Sequence, residues 1–172
     1  MLEVATDVVA GDWPEAVDWI ALADRAARGG LAVTPHAGLE RASYGVEVSV
    51  RLSDDAEVQT LNRDYRGKDA PTNVLSFPQV QPDLIESLAN SDDGEALLGD
   101  IILAYETVAR EAAEKNISVA DHATHLIVHG LLHLLGYDHE LGDADAEAME
   151  AMERDALGRM GLADPYQQEV DL

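Results

Sequence analysis

The sequence predicts one α+β domain over residues 1–172. The chain is long enough to bury a substantial core, and 47% of its residues are apolar. Segments with the two-residue alternation typical of strands are mixed with segments of helical spacing. Helical segments then dominate the carboxyl-terminal part, an arrangement that favours the α+β class.

The amino-terminal third predicts two strands and one helix. Residues 2–9 have the composition of an edge strand. Apolar residues at helical spacing over 16–27 predict a helix that Gly29-Gly30 terminates. Over 44–52, valine and leucine alternate with polar residues, which indicates a strand with one buried face.

The middle of the chain predicts a helix, a short strand and a loop. Asp54 and Glu57 have the spacing of a capping box, and the helix they begin reaches Tyr65. A short strand over 73–77 ends at a proline. Residues 79–96 are polar and acidic, so we expect a surface loop there and not a linker between domains.

The carboxyl-terminal part predicts a buried strand followed by three helices. The apolar run 97–105 indicates the strand, and the first helix follows it to about Asn116. The second helix covers 118–135, with a serine cap at its start and Gly136 directly after it. The third helix covers about 144–160 and ends at a glycine.

Charge and composition restrict the classes of function. The 34 Asp and Glu residues outnumber the 11 Lys and Arg residues, and the formal net charge is -23. This balance argues against general affinity for nucleic acid and favours a basic partner. There is no cysteine, which excludes disulfides and thiolate metal ligands. No signal peptide or membrane-spanning run is recognisable, so we expect a cytoplasmic protein with no membrane partner.

Three histidines near the carboxyl end have the spacing of a metal site. His129 and His133 are four residues apart, so a helix presents both imidazoles on one face. Gly136 allows the chain to turn back, and His139 follows three residues later. Three neutral imidazoles suit Zn²⁺ and also Ni²⁺, Cu²⁺ or Co²⁺, and they leave one coordination position open for water. The sequence therefore predicts a metal-dependent hydrolase.

The alternative interpretation is a helix with ordinary half-buried polar histidines. A shared helix face, a glycine at the required turn and a third histidine directly after it favour metal binding. His125 lies one turn before His129 and is a candidate to support a ligand, a core polar residue or a ligand itself. His36 and His122 are expected at the surface.

The same spacing occurs in the metzincin metalloproteases, with one difference. In those enzymes a glutamate follows the first histidine and acts as general base. Gly130 occupies that position here, so the usual base for peptide hydrolysis is missing. Asp138 and Glu140 are nearby carboxylates, but the sequence does not define their positions. We therefore rank a metalloprotease low.

Four segments resemble the YbeY family of bacterial endoribonucleases. Residues 129–140 resemble the family's metal signature, and residues 62–78, which read NRDYRGKDAPTNVLSFP, resemble its second block. Residues 98–101 are similar to its third block, and the segment 164–166, Asp-Pro-Tyr, is similar to its carboxyl end. The resemblance covers about residues 44–166.

The resemblance implies a zincin-like fold with a four-stranded sheet flanked by five to six helices. It implies one zinc ion per chain on His129, His133 and His139, for which His125 and Asp138 are candidate supporting residues. It also implies a single-strand-specific endoribonuclease that acts in 16S rRNA maturation, by 3′-end processing, and in ribosome quality control. The implied partners are ribosomal RNA and the ribosome or its proteins.

Arg66 matches the arginine that the YbeY family places in its active-site cleft. A guanidinium binds a phosphate through two hydrogen bonds and stabilises the charge that develops on it. With the resemblance, this makes Arg66 and His129 the expected catalytic residues. The alternative is a surface arginine at the end of a helix.

Charged residues are unevenly distributed along the chain. One short stretch predicts a local positive groove that faces the metal, and it contains Arg51, Arg63, Arg66 and Lys68. The final helix is expected to present a solvated acidic face that favours basic ribosomal proteins, and its acidic residues include Glu147, Glu150, Glu153 and Asp155. The alternative function is a ribosome assembly factor whose metal is mainly structural and whose helices and sheet present a docking surface.

Overall fold

The computed structural model describes residues 1–41, 45–81, 95–138 and 142–166. Within these residues the fold contains one four-stranded sheet and five α-helices. The strands are β1 (Leu2–Val8), β2 (Gly45–Ser53), β3 (Val74–Pro78) and β4 (Glu95–Ala104). The helices are α1 (Trp19–Ala32), α2 (Asp55–Arg66), α3 (Tyr105–Glu114), α4 (Val119–Leu134) and α5 (Asp143–Arg159). The predicted α+β class is confirmed.

The sheet has the strand order β1-β2-β4-β3. The first three of these strands are parallel, and β3 pairs antiparallel with β4. β1 lies at one edge, as predicted, and β3 lies at the other. Of the described helices, none is long and apolar enough to cross a membrane.

Helices cover both faces of the sheet. Successive residues of a strand point to opposite faces, and β4 shows this clearly. Ile101 joins the main core with α1 and α4, whereas Ile102 packs with Val58 of α2 on the other face. Most residues of α4 are buried, because this helix lies between the sheet, α1, α3 and α5.

Local hydrogen bonds fix the predicted helix ends. The Asp54 carboxylate accepts from the Glu57 backbone N–H at the start of α2. Ser118 accepts from the Asp121 N–H in the same way at the start of α4. These contacts satisfy backbone donors that a helix leaves without partners, so the spacing in the sequence was sufficient to predict both starts.

The turn after α4 is the one that the metal motif requires. Gly136 has a φ of 98°, in the left-handed region that favours glycine. Its N–H donates to the His133 carbonyl, and the Tyr137 N–H donates to the Leu132 carbonyl. This is a Schellman ending, and it directs the chain away from the helix axis directly after the two histidines.

The predicted end of the first helix was wrong. α1 continues through Gly29 and Gly30 to residue 32. A Cβ at Gly30 would lie 3.0 Å from Leu131 of α4, and one at Gly29 would lie 3.0 Å from Met160. The two glycines permit close helix packing instead of breaking the helix. The predicted loop 79–96 overlaps β4 at its end, and its residues 82–94 lie outside the described part.

Gly130 sets the distance between α4 and the sheet. A Cβ built at this position would lie 2.9 Å from Cγ2 of Ile101, and two further atoms of the same side chain lie within 3.3 Å. Real Cβ atoms do not approach neighbours so closely, so a larger residue would force the helix and the strand apart. The position therefore has no room for the glutamate that a metzincin protease carries.

We expect Gly130→Ala to lower the free energy of unfolding by roughly 1 kcal/mol. Overpacking costs about 1–3 kcal/mol, which exceeds the gain of about 1 kcal/mol that alanine gives inside a helix. Gly158→Ala in α5 is the matched control, because a Cβ there has no atom within 4 Å. It should be neutral or stabilising. Urea unfolding of the metal-free variants measures both changes, and a stabilised Gly130→Ala protein would contradict the packing argument.

Candidate active site

Four of the predicted site residues line one open cleft beside β3, namely Arg66, His129, His133 and Asp138. The cleft has a volume of about 750 Å³. One wall is formed by β3 and the connection that precedes it, and it includes Arg66, Lys68, Asn73 and Ser76. The other wall is the end of α4 and the turn after it, and it includes His129, His133, Gly136, Tyr137 and Asp138. The fold therefore brings together residues more than 50 positions apart in sequence.

His129 and His133 direct their ring nitrogens toward each other. Their Nε2 atoms are 3.0 Å apart. Two imidazole ligands of a tetrahedral zinc ion have nitrogens about 3.3–3.4 Å apart, so this pair fits such an ion with little adjustment. In the described part of the chain, no group of three or more candidate ligands is gathered. His139 lies outside the described residues, and the three-histidine site remains a prediction.

A buried carboxylate contacts the first of these histidines from behind. Glu153 of α5 is 1% exposed. Its Oε1 accepts a hydrogen bond from Nδ1 of His129 at 2.9 Å and one from Nε2 of His125 at 2.8 Å. Burial alone would raise the pKa of Glu153, but the hydrogen bonds and the electrostatic attraction of His125 and His129 together outweigh it and lower the pKa to about 2. Glu153 is therefore charged at neutral pH.

The prediction that Glu153 belongs to a solvated acidic face was wrong. The inward face of α5 consists of Met149, Glu153, Ala156 and Leu157. These positions have the spacing i, i+4, i+7 and i+8, typical of a buried helix stripe. A glutamate inside an apolar stripe is a signal in the sequence that could have identified this buried, paired carboxylate. Glu147 and Asp155 are exposed, as expected.

His125 faces the same carboxylate and is not among the residues that line the cleft. Its Nε2 bonds to Glu153, and its buried Nδ1 has no hydrogen-bond partner among the described residues. His125 and His129 thus share one partner, the carboxylate of Glu153. Asp138, the other candidate supporting residue, lines the cleft itself.

The Asp-Pro-Tyr segment docks on the opposite side of Glu153. The Tyr166 hydroxyl donates to Oε2 of Glu153 at 2.8 Å. Asp164 accepts from the Tyr166 backbone N–H and pairs with Arg154, whose guanidinium lies 5.5 Å from the tyrosine ring centre. Burial and the neighbouring Glu153 charge raise the pKa of Tyr166, so its hydroxyl remains protonated and donates.

His122 is buried, contrary to the prediction of a surface histidine. It is 1% exposed, and its Nε2 lies 2.8 Å from Oε1 of Glu111 in α3. The same oxygen accepts from the side-chain amide of Asn73, which lines the cleft. Burial lowers the pKa of His122, although the Glu111 hydrogen bond opposes it. A buried histidine and a partly exposed carboxylate therefore anchor the opposite wall of the cleft.

Arg66 is the last residue of α2 and lies over β3. Its Nη2 donates to the Ser76 carbonyl at 2.8 Å, and its Cζ lies 5.7 Å from the centre of the Phe77 ring. A guanidinium has five N–H donors, so this anchor leaves donors for a phosphate in the cleft. The side chain is fixed in direction while it stays accessible.

The positive groove is smaller than predicted. Arg51 pairs with Glu57, and Arg63 pairs with Asp64, so neither side chain faces the cleft. Among the described residues that line the cleft, Arg66 and Lys68 are the basic ones. The sequence stretch was basic, but Arg51 on β2 and Arg63 on α2 do not line the cleft.

The chain matches known proteins over most of its length. Residues 31–161 match the family model described as Endoribonuclease YbeY. The chain belongs to the YbeY endoribonuclease family. Proteins named Endoribonuclease YbeY from Sphingopyxis alaskensis and Rhizorhabdus wittichii are 64% and 60% identical to it over 166 residues. These matches cover 96% of this chain and 98% and 97% of the two relatives.

A solved structure supports the fold of this YbeY family member. The solution structure of a protein from Thermotoga maritima superposes with a TM-score of 0.53 and 23% identity, over 96% of this chain and 100% of that one. Family membership confirms the predicted class of enzyme, an endoribonuclease, and does not favour the assembly factor with a structural metal.

The His122–Glu111 pair should make stability depend on pH. The folded state holds the pKa of His122 below its ordinary value of about 6.5, so the unfolded chain takes up the proton first as pH falls. The stability that His122 contributes is therefore lost as the pH falls below the pKa that His122 has in the unfolded chain. In His122→Gln, the decline in unfolding free energy from pH 7.5 to 5.5 should be shallower by up to about 1.4 kcal/mol per pH unit.

Urea unfolding of metal-free protein at several pH values measures this difference. The two profiles should run parallel above pH 7.5, where both states of His122 are neutral, which provides an internal control. If the wild-type and His122→Gln unfolding profiles stay parallel down to pH 5.5, His122 is not a source of the pH dependence.

Proposed function

We infer that this chain is a zinc-dependent endoribonuclease that cleaves single-stranded RNA in the cytoplasm, during 3′-end maturation of 16S rRNA and ribosome quality control. The observation that carries the inference is the single cleft shared by Arg66, His129 and His133. A phosphate-binding cation and a pair of convergent metal-ligand nitrogens then face the same space. The YbeY names of the relatives support RNA as the substrate.

One zinc ion would be held by His129, His133 and His139. The convergence of two Nε2 atoms at 3.0 Å fits this donor set, and imidazole nitrogens suit zinc. An ion bound there supplies Lewis acidity toward a phosphate oxygen and makes water more acidic. In this proposal His129 would be catalytic as a metal ligand next to the reacting group.

The residues of the chain bind and orient the phosphodiester. Arg66 is fixed by Ser76 and the Phe77 ring, and its remaining donors hold a phosphate and stabilise the charge that develops on it. Lys68 adds a second positive charge to the same wall. Asn73 is held by Glu111 and keeps this wall rigid.

Two cleft cations are few for a nucleic-acid enzyme of net charge -23. Each neutralised phosphate contributes to affinity through counterion release, so this cleft engages a short segment of RNA only weakly by charge. Unpaired RNA suits such a site because its backbone bends into a cleft and its bases are accessible. A contact elsewhere on the chain must then complete recognition.

Peptide hydrolysis is not supported. Gly130 has no functional group, and Ile101 fills the space that a side chain at this position would need. A glutamate at position 130 would therefore push the helix away from the sheet, and the site would not gain a correctly placed base.

Arg66→Ala should keep zinc and the fold but reduce cleavage by about 100-fold or more, because it removes charge stabilisation worth roughly 3 kcal/mol. His133→Ala should lose zinc as well as cleavage. The assay is cleavage of a defined single-stranded RNA by highly purified protein, paired with elemental analysis. Chelation should abolish the wild-type activity, and added zinc should restore it.

Arg63→Ala is the matched control for Arg66→Ala. Arg63 belongs to the same helix, but it pairs with Asp64 and does not line the cleft. The His133→Ala protein serves as a blank for contaminating nucleases. Normal cleavage by Arg66→Ala, or equal loss in Arg63→Ala, would reject the phosphate-binding role.

We further infer that the exposed acidic face of α5 contacts basic ribosomal proteins. Replacing its exposed residues by amides (Asp143→Asn, Asp145→Asn and Glu147→Gln) should weaken co-sedimentation with small ribosomal subunits several-fold at low salt. The control changes an equal number of exposed acidic residues elsewhere (Asp7→Asn, Asp12→Asn and Glu15→Gln). Equal co-sedimentation of both triple variants and the wild type would refute the contact.

A further inference from the structure

The Asp-Pro-Tyr segment has no role in the activity described so far, yet it ends on a buried charge. Tyr166 donates to one oxygen of Glu153, and the other oxygen accepts from His129. A continuous chain of hydrogen bonds therefore runs from the docked segment through α5 to the cleft. We propose that Glu153 is a positioning residue for the metal ligand His129, and that Tyr166 holds Glu153 in place.

The contact to His129 has the geometry that this role requires. Nδ1 of His129 lies 2.9 Å from Oε1 of Glu153, and a carboxylate only accepts hydrogen bonds. Nδ1 is therefore the donor of this hydrogen bond, which in the neutral ring leaves the lone pair on Nε2. Nε2 is the atom that faces Nε2 of His133 across 3.0 Å. A carboxylate behind a ligating imidazole both fixes its orientation and increases its basicity.

The remaining contacts of Glu153 restrict its own position. Oε1 also accepts from His125, and Oε2 accepts from Tyr166, so three donors from two other parts of the chain surround one carboxylate. Glu153 is 1% exposed, and a buried charge is tolerated only when it is paired in this way. Tyr166 is held by the contacts of Asp164 with its backbone N–H and with Arg154.

A purely structural role for this network would predict a different result. Breaking a buried network lowers stability in either case. A positioning role also predicts weaker metal binding by protein that is still folded, and a changed proton position on His129 when metal is absent. The inference rests on the proposed zinc site, so the metal alone is the probe.

The test measures Zn²⁺ affinity by competition with a chromophoric chelator, together with imidazole nitrogen NMR of the metal-free protein. Glu153→Gln keeps the shape but removes the charge, and it should bind Zn²⁺ about 10–100-fold more weakly. Tyr166→Phe removes one hydroxyl and should weaken binding about 2–10-fold. In the wild type, NMR should show His129 protonated on Nδ1, and this form should be less populated in Glu153→Gln.

Glu111→Gln is the matched control, because Glu111 is also bonded to a histidine, His122, that is not a predicted ligand. Its Zn²⁺ affinity should stay within about twofold of the wild type. If Glu153→Gln is too unstable to study, Tyr166→Phe decides, because it leaves the charged network intact. If the folded Glu153→Gln and Tyr166→Phe proteins bind Zn²⁺ as tightly as the wild type, the positioning role is wrong but the metal site stands. Absence of Zn²⁺ binding by the wild type would overturn the metal site as well.

Discussion

The close packing of α4 on the sheet is the constraint on which the site depends. Gly130 lets the helix approach Ile101 more closely than any side chain would allow. His129 directly precedes this glycine and His133 follows one turn later, so the distance between helix and sheet also determines how far both imidazoles reach over β3. β3 forms part of the other wall, where the Ser76 carbonyl anchors Arg66. One helix–sheet distance therefore sets the width of the cleft.

Polar side chains buried in α4 tie the neighbouring helices to it. His122 is hydrogen-bonded to Glu111 of α3. His125 and His129 are both hydrogen-bonded to Glu153 of α5. The buried members, His122, His125 and Glu153, would be costly to bury without partners, because the interior offers no water to replace a lost hydrogen bond. An apolar contact tolerates sliding, but these paired groups require a defined register. The network thus gives α3, α4 and α5 fixed relative positions, which also fixes the two walls of the cleft.

Local features of the fold were predictable from the sequence, whereas long-range pairing was not. The caps at Asp54 and Ser118 and the turn at Gly136 depend on residues a few positions away, and they are where the spacing placed them. Gly29 and Gly30 were misinterpreted because their role depends on Leu131 and Met160, which are distant in sequence.

The candidate site was predictable to the same extent. Spacing and resemblance together indicated Arg66, His129 and His133, which share the cleft. Glu153 was assigned to the solvent because its partners lie 24 and 28 residues earlier in the chain. Similarly, a run of basic residues does not reveal which side chains pair with local acids, so the charge of the groove was overestimated.

The order of these groups along the chain has a consequence for synthesis. The histidines of α4 leave the ribosome before α5 does, and Tyr166 follows α5. Until residue 166 has emerged, the imidazole of His129 lacks the completed set of hydrogen bonds that surrounds Glu153. The hydrogen bonds that orient this side chain therefore cannot be complete before residue 166 is available. A nascent chain would complete these hydrogen bonds only after residue 166 had left the exit tunnel, so the histidine is synthesised well before the residue that completes its support.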